Sequence, residues 1–162
     1  MSQTAIALCA VIWMHAGAKE PIQKNRMKAC VKVATEARTA GVPPALMVAI
    51  AWVESRYNPT VVSSAGAVGI LQVIPRYHCP KKTAKGCNTI KRGVLLMRRL
   101  IKRYGVLKAL ASYNAGPRRW KLGVGYARLV MRLQRKVERA PRQDYAHAMR
   151  CFYSCPKCCK AR

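Results

Sequence analysis

The sequence predicts a mainly α-helical fold. Several segments carry apolar residues at the three- and four-residue spacing of an amphipathic helix, and no segment shows a convincing alternation of apolar and polar residues. The 162 residues are enough for one domain with a hydrophobic core, and a hydrophobic content of 51% favours a globular chain over a disordered one. We expect at most short β pieces, around Val61 and in residues 70–73.

The N-terminal residues 1–18 contain an apolar run that has two interpretations. Ala16-Gly17-Ala18 suits a signal-peptide cleavage site, but no Lys or Arg precedes the run, and the run is short for a membrane span. If it is not cleaved, we expect a helix packed on the domain or on a neighbouring protein. Residues 18–41 then predict a supporting helix with one apolar side, which stops at Gly41.

An uninterrupted apolar run, residues 45–53, predicts a helix that is buried on all sides. Pro43 and Pro44 suit its first turn. Asn58-Pro59 ends it, because a proline ring clashes with a preceding residue in the helical conformation. Glu54 therefore falls in the last turn of this helix.

Two effects are expected to act on the Glu54 carboxylate. Apolar surroundings and the negative end of the helix dipole both disfavour its charged form, so both raise its pKa. A carboxylic acid that keeps its proton near neutral pH can act as a general acid. The structural alternative is a capping or salt-bridged surface glutamate.

Small residues dominate residues 63–72, which follow this helix. Gly66 and Gly69 permit positive φ and a close approach of backbone to a ligand, while the Ser63 hydroxyl and the Gln72 amide offer hydrogen bonds. The segment suits a sugar-binding wall. Taken alone, it is also an ordinary glycine-containing turn.

Four further helices are predicted in the C-terminal half. A basic loop, residues 76–86, leads to a helix that Asn88 or Thr89 caps and that carries a basic face. A short helix, residues 106–113, ends so that Tyr113 and Asn114 project toward a cleft. The remaining helices are predicted over residues 126–137 and 143–152.

Two blocks of motifs form the most specific pattern in the chain. The first contains Glu54-Ser55, Asn58-Pro59, Ser63, the run 66–73 and Pro75, and the second is residues 111–117, ASYNAGP. In this order and spacing they resemble the soluble lytic transglycosylases, relatives of goose-type lysozyme, from about Gly41 to Tyr145. A match in several parts is far more specific than one short motif.

The resemblance implies a lysozyme-like transglycosylase domain that cleaves the MurNAc-GlcNAc bond of peptidoglycan. Residues 41–150 would form this domain, with at most a small β element near the active site. Residues 1–40 would be an N-terminal helical segment and residues 151–162 a cysteine-rich basic tail. No cofactor or metal is expected in the reaction.

Carried over residue by residue, the resemblance makes Glu54 the catalytic acid and then the base. Ser63 matches a serine that assists near the N-acetyl group of the substrate. The predicted substrate-binding residues are Ser63, Gln72, Tyr113, Asn114 and Tyr145. Near Tyr145 the sequence departs from the family, since Arg142 and Gln143 replace the usual acidic and threonine residues, and Ile74 stands where a methionine is common.

The small number of acidic residues favours a particular chemistry. A two-carboxylate glycosidase needs a second acid across the scissile bond, but this chain has only five acidic residues and none in the two blocks besides Glu54. One acid can serve both steps when the substrate's N-acetyl group stabilises the oxocarbenium-like centre and its 6-hydroxyl attacks. We therefore expect a lyase-type reaction with a 1,6-anhydro product. The alternative is that Asp144 folds back onto Glu54.

The formal net charge of +26 predicts anionic partners. Lys and Arg number 31 against 5 Asp and Glu, which suits peptidoglycan with its polymers, an anionic envelope surface, or DNA. We expect a virion protein that acts in the host periplasm when a phage genome enters, with other virion proteins as partners. Two alternatives stay open: a periplasmic enzyme of a secretion or conjugation apparatus, and a non-catalytic basic virion protein that binds DNA on a degenerate lysozyme-like fold.

Eight cysteines make disulfides plausible. The candidate pairs are Cys79 with Cys87, or Cys30 with Cys87. The tail cysteines have a spacing that also suits zinc, although the paired spacing of strong zinc motifs is missing, so we favour disulfides or free thiols. These tail cysteines are Cys151, Cys155, Cys158 and Cys159.

Overall fold

The computed structural model describes residues 3–17 and 22–153, and within them it is mainly helical, as the sequence predicts. The helices are α1 (Gln3–His15), α2 (Lys24–Thr39), α3 (Pro44–Ser55), α4 (Pro75–His78), α5 (Thr89–Tyr104), α6 (Val106–Ala115), a 3₁₀ helix (Pro117–Gly123), α7 (Val124–Glu138) and α8 (Arg142–Tyr153). Among these residues the β structure is limited to isolated antiparallel bridges, Val62 with Val68 and Val68 with Val73. The small β element thus lies in the predicted glycine-containing turn.

Helix α3 forms the centre of the hydrophobic core. Its residues 46–51 are all buried, since α1, α2 and α7 pack around it. Pro44 is its first residue, and Arg56 caps its C-terminus in the left-handed conformation (φ 50°) with its N–H bonded to the Trp52 carbonyl at 2.8 Å. Glu54 is therefore in the last turn, as predicted.

Helix α2 runs antiparallel to α3 and supports it. The Arg26 guanidinium, near the start of α2, donates to the carbonyl oxygen of Arg56, just past the end of α3, at 3.1 Å. The apolar side of α2 faces the core through residues such as Met27, Val33 and Ala37, which are fully buried. This arrangement fixes the end of α3 that carries Glu54.

Helix α1 is an integral part of the folded domain. Ile6, Val11 and Ile12 are buried in the same core as α3, so one core crosses the predicted boundary at residue 40. The Trp13 ring packs edge-on against the Trp52 ring, with a centroid distance of 5.1 Å. In the described residues, no helix combines the length and the apolar character needed to span a bilayer.

Two disulfides are present in the described residues. Cys79 pairs with Cys87, one of the predicted pairs. The alternative pairing of Cys30 with Cys87 is wrong, because Cys30 is bonded to Cys9. Both of these cysteines are fully buried where α1 packs on α2. The predicted zinc or disulfide chemistry of the tail, residues 151–159, lies outside the side chains that the structure describes.

The C-terminal helices pack on one another, and α7 joins them to α3. Asn88 caps α5, and its side-chain oxygen accepts from the Lys91 N–H at 3.0 Å. Helix α6 packs against α5, α7 and the 3₁₀ helix, and α7 also packs on α3. The sequence predicted neither the 3₁₀ helix nor the single turn of α4 within the basic loop, because both are too short for a helical periodicity to appear.

Candidate active site

Glu54 lies half-buried at the C-terminal end of α3. Burial raises the pKa of Glu54 above its ordinary value, and a hydrogen bond from Tyr126 offsets part of this increase. The two oxygens are 2.6 Å apart, with the Tyr126 hydroxyl donating to Oε1 of Glu54. A carboxyl group in this setting can give up a proton and can also be stabilised once it is charged.

Tyr126 stands in the first turn of α7 and remains a proton donor over the ordinary pH range. Burial and the nearby Glu54 carboxylate raise its pKa well above the usual value for a phenol. The sequence pattern places this tyrosine on the apolar side of an amphipathic helix. It was missed as a site residue because its position on that face looks the same as a core position.

Tyr113 joins the end of α6 to the turn that follows α3. Its hydroxyl donates to the carbonyl oxygen of Leu71 at 2.7 Å. Burial raises the pKa of Tyr113, and the charge of the Glu54 carboxylate raises it further. Its neighbour Asn114 is exposed in the same turn of α6.

The turn of residues 61–73 forms the wall beside Glu54. The Ser55 hydroxyl donates to the carbonyl oxygen of Ile70 at 2.9 Å, so the residue after Glu54 is tied directly to this wall. Ser63 Oγ accepts from the Ala67 N–H at 3.0 Å. Its own hydroxyl proton therefore points away from this bond and can be donated to a ligand.

Gln72 holds the same wall together from within. Its Nε2 donates to the carbonyl oxygens of Val61 at 3.2 Å and Gly69 at 2.9 Å. Gln72 adopts a left-handed backbone conformation (φ 46°), which is uncommon outside glycine and fits a turn held by several hydrogen bonds. The side-chain oxygen Oε1 of Gln72 is the group that this geometry leaves to accept a hydrogen bond from a substrate hydroxyl or amide.

Tyr145 is not brought to Glu54. Its hydroxyl donates at 2.9 Å to the carbonyl oxygen of Val137, in the last turn of α7, whereas Tyr126 is in the first turn. Eleven residues of helix separate these positions by about 16 Å. The tyrosine bonded to the Glu54 carboxyl group is therefore Tyr126, and the expected contact of Tyr145 with the substrate stays a prediction. Tyr145 thus contacts the C-terminal end of α7, and its helix α8 packs on α1.

Asp144 and Glu138 lie away from Glu54. Asp144 is paired with His15 at 3.0 Å, between α8 and α1, so it does not fold back onto Glu54. Glu138 ends α7 and accepts a hydrogen bond from Gln134 at 2.8 Å. Twelve residues separate Glu138 from Tyr126, a distance of about 18 Å along the helix.

Glu36 is distant for a similar reason. On α2 it lies ten residues after Arg26, whose guanidinium is hydrogen-bonded to the carbonyl oxygen of Arg56, at the end of α3 that carries Glu54. This spacing corresponds to about 15 Å along the helix axis. Glu20 falls outside the described residues. Among the carboxylates that the structure describes, Glu54 alone faces the wall and the two tyrosines.

Comparison with known proteins identifies the family of this chain. No curated protein matches the chain. The family model for the transglycosylase SLT domain matches residues 32–128, a segment that contains Glu54, both motif blocks and Tyr126 and excludes Tyr145. Because this match covers more than half of the chain, the protein belongs to the transglycosylase SLT domain family, the lysozyme-like lytic transglycosylases that cleave peptidoglycan.

Proposed function

We propose that this protein cleaves the β-1,4 bond between MurNAc and GlcNAc and leaves a 1,6-anhydroMurNAc end. The observation that carries this proposal is the isolation of Glu54, with a raised pKa, from the other described carboxylates. A hydrolase of the two-carboxylate type would need a partner acid within roughly 5–10 Å. A single acid instead suits a reaction in which the substrate supplies its own nucleophile.

In the first step, Glu54 gives its proton to the glycosidic oxygen as the bond to C1 of MurNAc breaks. The N-acetyl group of that sugar stabilises the positive charge that develops at C1. The Tyr126 hydroxyl, 2.6 Å from Oε1, stabilises the Glu54 carboxylate that this step creates. In the second step, Glu54 takes the proton of the C6 hydroxyl, whose oxygen bonds to C1. Glu54 ends protonated, and no water is consumed.

The wall residues have separate roles in this proposal. Ser63 is expected to donate its hydroxyl proton to the N-acetyl carbonyl, since its oxygen already accepts from Ala67. The side-chain oxygen of Gln72 and the side chain of Asn114 are expected to bind sugar hydroxyls. Tyr113 holds the wall against α6 through its bond to Leu71.

Digestion of purified peptidoglycan tests the proposal. Mass spectrometry of the soluble fragments should show anhydro ends, each one water lighter than a reducing end. Glu54→Gln should reduce fragment release by about 10²- to 10⁴-fold, the usual contribution of a general acid and base. Reducing ends from the wild-type protein would overturn the proposal, as would equal release by the Glu54→Gln variant.

For the setting, we propose a virion protein that opens the host wall locally, in the periplasm, as the phage genome enters. Disulfides persist in an oxidising compartment, and the structure contains Cys9–Cys30 and Cys79–Cys87. The net charge of +26 suits a protein packaged beside DNA. A periplasmic secretion or conjugation enzyme is the alternative. Detection of the protein in purified virions would favour the first, and detection in the periplasm of uninfected cells the second.

Binding of DNA is a second candidate function, favoured by the distribution of charge. The sequence holds no carboxylate between Glu54 and Glu138, and α5 presents exposed cations such as Arg98, Arg99 and Lys102. Binding through phosphate contacts would be independent of DNA sequence and would fall steeply with salt. A titration of duplex DNA at two salt concentrations, run beside wall binding, distinguishes the two functions. A DNA affinity that does not depend on salt would contradict this candidate.

A further inference from the structure

The described residues contain a concave site that the proposed chemistry does not use. It is a cavity of about 420 Å³, within the size range of small-ligand sites. It lies between the tip of the turn that holds Ser63, the segment of α4, and the loop that the Cys79–Cys87 disulfide closes. Residues that line it include Ala65, Gly66, Arg76, Tyr77, Lys82 and Thr83.

The cavity shares a wall with the catalytic turn. Ala65 and Gly66 form the tip of a tight turn that Ser63 and Ala67 close, through the Ser63 N–H to the Ala67 carbonyl at 2.9 Å and the Ala67 N–H to Ser63 Oγ at 3.0 Å. The cavity therefore begins two residues from Ser63, the residue that is proposed to bind the N-acetyl group. The cavity is placed to bind a branch of the glycan chain.

The chemical character of the cavity is cationic with one exposed ring. Arg76 and Lys82 line it, and no acidic residue does. The Tyr77 side chain is 69% exposed, and the Arg76 guanidinium lies over its ring, 5.8 Å from the centroid. A cation held against an aromatic face is available to an anionic ligand with its orientation already restricted. Thr83 adds a hydroxyl.

The loop that carries Lys82 is constrained by a disulfide and by a hydrogen bond within the loop. The disulfide closes residues 79–87 into a ring, and the Lys82 N–H donates to the Cys79 carbonyl at 3.0 Å within it. Lys82 has a left-handed backbone conformation (φ 55°), which is uncommon for a residue with a side chain. The ring thus fixes the direction in which this lysine leaves the backbone.

We propose that this cavity binds the carboxylates of the peptide stem that MurNAc carries on its lactyl group. This inference rests on the proposed function, since it assigns a second part of the same substrate. In peptidoglycan, the stem is an anionic branch of the sugar on one side of the scissile bond. The cavity would make the protein prefer strands that retain their peptides over bare glycan.

Equilibrium binding to the full-length Glu54→Gln variant tests the inference without cleavage. The ligands are soluble glycan strands with intact stems, the same strands stripped of stems by an amidase, and strands whose stem carboxylates have been converted to amides. We expect the intact strands to bind roughly five- to tenfold more tightly than the other two, the effect of two exposed charge pairs. Equal binding of all three ligands would overturn the inference.

A matched pair of double variants assigns the preference to the cavity. Arg76→Gln with Lys82→Gln, in the Glu54→Gln background, should abolish the preference for intact stems and leave the affinity for stripped strands unchanged. Lys28→Gln with Lys32→Gln removes the same charge from exposed positions of α2 and should keep the preference. An equal loss in both double variants would show a general charge effect and contradict the inference.

Two controls separate the other outcomes. If a glycerol-phosphate polymer displaces the intact strands but the free stem tetrapeptide does not, the cavity is a phosphate site and the inference is wrong. Cleavage by the wild-type protein reports on the proposed function alone. A protein that releases no fragments but still prefers intact stems would refute the proposed chemistry and keep the stem site.

Discussion

At the scale of the residue, Glu54 stands under two opposed influences. Burial raises its pKa, and the hydrogen bond from Tyr126 lowers it, with burial the larger effect. The carboxyl group therefore keeps its proton to a higher pH than an exposed glutamate, yet its charged form has a partner. This balance suits a group that must give up a proton and take one back in a single turnover.

The raised pKa of Glu54 predicts a stability effect of Glu54→Gln that depends on pH. The folded protein binds this proton more tightly than the unfolded chain does. The resulting stabilisation is complete below the ordinary pKa of 4.5 and is lost as the pH rises through the folded pKa. The Tm of Glu54→Gln should thus equal that of the wild type below this range and exceed it at neutral pH, as calorimetry would show. A Tm difference independent of pH would contradict the assignment.

Tyr126→Phe should change both the rate and its pH dependence. Without the phenol, the pKa of Glu54 rises further, so the basic limb of the pH-rate profile should move to higher pH. The loss of a hydrogen bond to a charged group should lower kcat by roughly 10- to 100-fold. Tyr145→Phe, at the other end of α7, is the matched control and should leave the profile unchanged. A larger loss of kcat in Tyr145→Phe than in Tyr126→Phe would contradict the assignment of Tyr126 as the tyrosine that acts on Glu54.

At the scale of the element, the approach of α7 to α6 positions Tyr126. A Cβ atom at Gly123 would overlap the backbone carbonyl of Ala111, whereas a Cβ at Gly125 would meet no atom within 4 Å. Helix α7 begins between these two glycines, just before Tyr126. The backbone contact at Gly123 therefore sets how closely the tyrosine can approach Glu54.

Gly123→Ala should weaken the fold and the site together. We expect the free energy of unfolding to fall by about 2 kcal/mol, the usual cost of forcing an extra methyl group into a packed interface. Activity should fall more than stability explains, because α7 must shift. Gly125→Ala should be neutral or stabilise by up to about 1 kcal/mol, since alanine is the better helix former. Denaturant titration with activity assays compares them, and equal effects would contradict this account of the α6–α7 contact.

The buried disulfide ties α1 to α2 and, through the Trp13 and Trp52 rings, to the helix that carries Glu54. Its cysteines are separated by 21 residues in sequence. Replacing both by serine (Cys9→Ser with Cys30→Ser) should lower the free energy of unfolding by about 3 kcal/mol, from the loop entropy returned to the unfolded chain. The Tm should fall by roughly 10 °C. A change below 2 °C would show that packing alone holds α1.

At the scale of the whole molecule, the sequence predicted those features that local patterns encode. The apolar run of residues 45–53 requires burial, and Asn58-Pro59 requires a helix end, so the position of Glu54 in the last turn followed from the chain alone. The two cysteines of the Cys79–Cys87 pair are close in sequence, so this disulfide was also among the predicted pairs. Each of these depends on neighbours along the chain.

The features that the sequence did not reveal depend on contacts between distant segments. Tyr126 reaches Glu54 across 72 residues, and Asp144 reaches His15 across 129. Tyr126 and Tyr145 both lie on partly apolar helix faces, and only the packing of α7 on α3 and of α8 on α1 tells them apart. Cys9 was likewise not predicted as a disulfide partner, because the apolar run that contains it has no polar face from which its orientation can be inferred.

In the proposed reaction Glu54 serves both steps, and the substrate, rather than water, supplies the nucleophile. Digestion of peptidoglycan in water enriched in heavy oxygen, with immediate borohydride reduction and mass spectrometry of the fragments, tests it most directly. We predict anhydro ends without any oxygen from the solvent, and their loss in Glu54→Gln. Incorporation of heavy oxygen at C1 of MurNAc during cleavage would show attack by water and contradict the claim.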